Sequence, residues 1–126
     1  MDSKKIHWGR IIAGAVLLEV ALIAVFVPLL ALSDVTVIVR IVPIGTFAFG
    51  YLFGWWVVRK VPGRPVLHGT LVGVLATVIY LALIIAQPGG AAPVVAMYGP
   101  FLFVLGNALR IVGCAAAGFA YRRRME

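Results

Sequence analysis

The stretch YGPFLFVLGNALRIVGCAAAGFA, residues 98–120, decides how the rest of the chain is read. As a helix it spans roughly 35 Å at about 1.5 Å per residue, enough to cross a hydrocarbon core of about 30 Å. It carries a single charge, Arg110, near its middle. An arginine at that depth costs roughly 3 kcal/mol on insertion scales, so it needs a partner. Only one other charged side chain lies as deep in an apolar segment: Glu19, in the first one. Helix rise puts Glu19 roughly 14 Å beyond Arg10 and Arg110 roughly 18 Å beyond Arg122, so the two lie at similar depth.

Outward from this stretch, composition bounds the class. Of 126 residues, 63% are hydrophobic and 12% charged, against about half and a quarter in an ordinary soluble domain. The expectation is an integral membrane protein, a single transmembrane domain over residues 1–126. The apolar segments 11–32, 37–58, 66–86 and 98–120 predict an all-α bundle of four membrane-spanning helices. Pro28 kinks or ends the first near its far side. Asp34 sits in a minimal turn, Pro62-Gly63 marks a middle loop, and QPGGAAP at 87–93 marks an uncharged turn.

Charge gives orientation. Lys4, Lys5, Arg10, Arg59, Lys60, Arg64, Arg122, Arg123 and Arg124 fall on one side, and Arg40 alone on the other. The positive-inside bias predicts both termini, and the basic loop of Arg59, Lys60 and Arg64, in the cytoplasm. The net charge of +7 therefore reads as orientation and contact with lipid headgroups. No basic face interleaved with aromatics suggests nucleic acid, and none is expected as a partner.

Three groups of residues carry the functional expectations. Glu19, Arg110 and Asn107, three residues before Arg110, form an intramembrane polar set. It reads either as a neutralised pair fixing how the first and fourth helices pack, or as part of a solute, proton or ion path. Glycines recur at helical spacing: Gly50 and Gly54, Gly69 and Gly73, and Gly99, Gly106 and Gly113. They read as helix-packing positions, either within one bundle or at an interface with another subunit. His7 and His68 fall at the cytoplasmic interface without the accompanying ligands a metal site needs, and read as polar anchors, with axial ligation of a haem or pigment as the alternative. No metal site or cofactor is expected. Phosphate-loop, nucleophile and paired-carboxylate motifs are absent, and the single thiol, Cys114, has no activating neighbour in sequence, so no enzymatic activity is expected.

Two resemblances bear on this. FGWWVVRK at 53–60 with GRPVLHGTLVG at 63–73 resembles the middle of small four-helix bacterial membrane proteins of the YrzE type. That implies a bacterial four-span protein of uncharacterised function in the cytoplasmic (inner) membrane, and it supplies no catalytic residues. AGAVLLEV at 13–20 resembles the first helix of small multidrug-resistance transporters, whose glutamate there binds protons and cations; Glu19 stands at that position. The chain departs from that family in carrying Arg110 against the glutamate and in its strong charge bias. The leading expectation is a non-enzymatic membrane protein acting by helix association, as a homo-oligomer or as an accessory subunit among other membrane subunits in the bilayer. The alternative is a small transporter or channel with Glu19, Asn107 and Arg110 as its polar site.

Overall fold

A computed structural model describes residues 6–61 and 63–125. Among these the secondary structure is entirely helical: α1 (Trp8–Leu32), α2 (Val35–Val58), α3 (Pro65–Ile85), α4 (Ala92–Tyr98) and α5 (Pro100–Met125). Of these, α1, α2, α3 and α5 are long and apolar enough to cross a membrane, with mean hydropathy between 1.7 and 2.7. The chain has the character of a multi-pass membrane protein.

Local chemistry sets the helix ends. Asp34 caps α2, its carboxylate accepting from the Thr36 backbone N–H at 3.0 Å. Arg64 takes the left-handed conformation (φ 54°) immediately before α3, which then opens on Pro65, a residue suited to a first helical turn. Pro28 does not end α1, which continues to Leu32. Pro43 is likewise inside α2. Gly89 and Gly90, both at positive φ, turn the chain after α3.

The bounds depart from the sequence reading most clearly between α3 and α5. The segment after α3 is not a plain turn, because Ala92–Tyr98 forms its own short helix. The fourth span begins at Pro100 rather than residue 98, because Gly99 adopts φ 84° and ψ 150° and breaks the helix. Pro100 has no backbone N–H to lose at a helix start. At its other end α5 runs on through Arg122, Arg123 and Arg124, whose charge in the last turn complements the helix dipole.

The bundle is built around α5, which lies in the groove between α2 and α3. There the glycines let backbones approach. A Cβ on Gly54 would sit 3.0 Å from the Cys114 Cα, and one on Gly73 would sit 2.6 Å from the Ile111 Cα. Gly50 and Gly69 also face α5 at Arg110 and Cys114, and Gly113 faces the Phe47 backbone of α2. These five are contacts within one chain. Gly99 and Gly106 have no such neighbour: an added Cβ meets nothing within 4 Å at either. Gly99 serves the helix break instead. Helix α1 packs on the other side of α2 and α3, placing Ile11, Ala15, Leu18 and Leu22 in a core with Val57, Val72 and Ala76.

Candidate functional site

Helices α1 and α5 are therefore diagonal partners, yet their two charged side chains meet. Arg110 Nε lies 2.7 Å from Glu19 Oε1. Both residues are buried, at 5% and 3% exposure. The remaining geometry is that of a held guanidinium. Arg110 Nη1 donates to Asn107 Oδ1 at 2.7 Å. Asn107 is itself fixed by donating from Nδ2 to the Phe103 carbonyl at 2.9 Å. The guanidinium carbon lies 4.4 Å from the centre of the Tyr80 ring, a cation–π distance. The sequence-predicted trio is thus a single constellation, with Tyr80 added from α3.

The contact between Arg110 and Glu19 is close in distance but not aligned as a hydrogen bond. Neither Nε nor Oε1 has a hydrogen-bond partner among the described residues. Coulombic attraction holds the pair at 2.7 Å, at a depth where losing either partner would leave the other charge unpaired and costly.

A cleft of about 110 Å³ ends on this pair. Glu19, Tyr80, Tyr98, Asn107 and Arg110 form its polar end, with Gly106 beside them. Ile23, Phe26, Val27 and Leu30 of α1, and Leu102 and Phe103 of α5, form its apolar walls. The missing side chain at Gly106 widens the cleft; this glycine borders open space instead of a neighbouring helix. Tyr80 and Tyr98 escaped the sequence reading. Nothing in their spacing separates a tyrosine lining a cleft from one anchored at a lipid interface.

The cleft occupies the half of the bundle bounded by the Ser33–Asp34 turn and the connection around Gly89 and Gly90. The opposite half is packed shut. There His68, fully buried, is satisfied at both ring nitrogens: Nδ1 lies 2.9 Å from the Arg64 carbonyl, and Nε2 accepts from the His7 backbone N–H at 3.1 Å. That pattern puts the ring proton on Nδ1 and engages Nε2 as an acceptor. Arg10 donates from Nη2 to the Trp56 carbonyl at 2.8 Å, its guanidinium carbon 3.4 Å from the centre of the Trp56 ring. Tyr121 packs edge-on to Trp55 with centroids 5.4 Å apart. These contacts draw the start of α1, the end of α2, the start of α3 and the end of α5 to one end. Arg59 and Lys60 are exposed there, and Arg64 supplies the carbonyl that holds His68. Lys4 and Lys5 lie outside the described residues. Cys114 is buried where α5 meets the glycines of α2 and α3. Among the described residues no group of three or more His, Cys, Asp or Glu is placed to hold a metal ion.

The chain matches no protein-family model, no curated protein and no solved structure.

Proposed function

We propose that this chain is a small, non-enzymatic membrane transporter or channel whose solute site is the cleft ending at Glu19, Asn107 and Arg110. One observation carries the reading: a cleft with apolar walls leads to an ion pair that is nearly fully buried. Buried ionisable groups inside membrane spans ordinarily mark pathways or relays. A pair serving only to pack two helices gains nothing from a cleft beside it. The glycines that suggested association with other subunits are largely occupied within the chain: Gly50, Gly54, Gly69, Gly73 and Gly113 all face its own helices. The charge count supports an orientation with both termini inside, and the resemblance to small bacterial four-helix proteins suggests the bacterial cytoplasmic membrane. The cleft then opens toward the external half, and the His7–His68 end forms the cytoplasmic seal.

The test is swelling of liposomes containing the purified protein, in isosmotic solutions of small neutral, cationic and anionic solutes. Swelling faster than in protein-free liposomes is expected for at least one solute. A cysteine placed at Leu102, with Cys114→Ser, should block that flux once labelled by a membrane-impermeant maleimide. Swelling unchanged across all solutes, with protein that remains folded, overturns the reading.

A further inference from the structure

Taking the cleft as a solute site, as proposed above, we infer that it accepts a small monocarboxylate together with one proton, so that loading is electroneutral.

The inference follows from what each half of the ion pair can tolerate when the other is taken away. Glu19 and Arg110 are 97% and 95% buried by their exposures of 3% and 5%, and together they are neutral. A charged solute entering the polar end must compete for one of them. A cation that captured Glu19 would strand Arg110, and a guanidinium does not shed its proton in proteins. The site would then carry a net positive charge away from water, which is strongly disfavoured. A monoanion that captured Arg110 would strand Glu19 instead. A carboxylate without its counter-charge in apolar surroundings neutralises by taking up a proton. Before loading, the site holds a carboxylate facing a guanidinium. After loading, it holds a carboxylic acid, a guanidinium and the solute carboxylate. One anion and one proton have entered, and the site's net charge is zero in both states.

The geometry suits that exchange. Asn107 holds Nη1 at 2.7 Å and Tyr80 covers the guanidinium face at 4.4 Å, so Arg110 keeps its orientation when Glu19 lets go. The Nε edge now facing Glu19 is not locked by an aligned hydrogen bond. A solute carboxylate there would gain the charge-assisted hydrogen bonds that a guanidinium fork provides. The groups facing Glu19 leave one place for the proton. From α5 come Arg110 and Asn107, from α3 Tyr80, from α4 Tyr98, and from α2 Thr46, which is already donating to the Val42 carbonyl at 2.7 Å. Glu19 is the one carboxyl among these lining residues. The apolar walls fit a short hydrocarbon tail, and about 110 Å³ limits it to a few carbons.

Propionate is the probe. Detergent-purified protein in weakly buffered solution near pH 7 is titrated with pH-matched sodium propionate, following bulk pH and measuring bound ligand by equilibrium dialysis with radiolabelled propionate. The expected result is one proton taken up per propionate bound, with no binding of tetramethylammonium. Glu19→Gln should bind propionate about tenfold more tightly, equivalent to about 1.4 kcal/mol, with no proton uptake. Because that variant can fail to fold, the proton count on the unaltered protein decides independently. Propionate bound without a proton, or tetramethylammonium bound in its place, overturns the inference. Propionate that does not bind, while the maleimide still reaches a cysteine at Leu102, overturns it too and leaves the solute site standing. A cleft closed to the maleimide removes both.

Discussion

Arg110 and Glu19 meet across the diagonal of the bundle, Nε to Oε1 at 2.7 Å, although α5 and α1 each pack chiefly against α2 and α3. The pair thus supplies a link between two helices whose backbones do not hold each other. This sharpens the expectation that the first and fourth spans are joined by these charges: the joint is made by side chains alone.

Removing either partner should destabilise the fold, but unequally. Breaking a buried pair costs about 3–5 kcal/mol when the remaining charge stays unpaired. Arg110→Leu leaves a carboxyl that can protonate, whereas Glu19→Leu leaves a guanidinium that cannot lose its charge. Glu19→Leu is therefore expected to lower the thermal midpoint in detergent more than Arg110→Leu. Exchanging the charges, Glu19→Arg with Arg110→Glu, should recover part of the loss. An exchange no better than the worse single variant would show that the pair does not hold α1 to α5.

The glycines divide into two groups that stability measurements will separate. Gly73→Ala places a Cβ 2.6 Å from the Ile111 Cα, and Gly113→Ala places one 2.5 Å from the Phe47 carbonyl oxygen. Neither backbone can yield without moving a helix, so overpacking of about 1–3 kcal/mol is expected at each. Gly106→Ala meets nothing within 4 Å and should gain up to about 1 kcal/mol from helix propensity. Thermal unfolding of the three variants checks the order.

Cys114 is expected to be inert to water-soluble thiol reagents in the folded protein, being fully buried against glycine backbones. A cysteine at Leu102, in the wall of the cleft, is expected to react. Labelling kinetics before and after denaturation distinguish the two. Fast reaction at Cys114 in folded protein would contradict the tight seating of α5.

His68→Ala removes partners from the His7 backbone N–H and from the Arg64 carbonyl in a buried setting. The carbonyl keeps the His68 backbone N–H at 3.0 Å, so the main loss falls on His7. A cost of about 1–3 kcal/mol is expected. Faster proteolysis or hydrogen exchange should be confined to the start of α1. Protection unchanged at His7 would show that this contact does not seal the basic end.

The four long helices could be read from the sequence because each apolar run approaches the length of a bilayer core, and the starts of α2 and α3 were set by loop chemistry at Asp34 and Pro65. The Glu19–Arg110 partnership could be read because each was the other's only deep charged candidate. What was hidden had no local signature. Gly99 looks like one more small residue in a stripe, and only its left-handed backbone reveals that it ends α4. Gly106 shares the seven-residue spacing of Gly99 and Gly113, but no helix lies against it and it borders the cleft. Tyr80 and Tyr98 could be assigned to the site only after α3 and α4 were placed around Arg110.

The diagonal pairing also orders the birth of the protein in time. Glu19 emerges from the ribosome about 90 residues before Arg110. At about 5–20 residues per second, α1 waits in the bilayer for several seconds with its carboxylate unanswered. During that interval the nascent chain has α2 and α3 to lean on but no counter-charge. A chain interrupted before α5 keeps an acid in its first helix without a counter-charge, and that acid stays in the bilayer only by holding a proton.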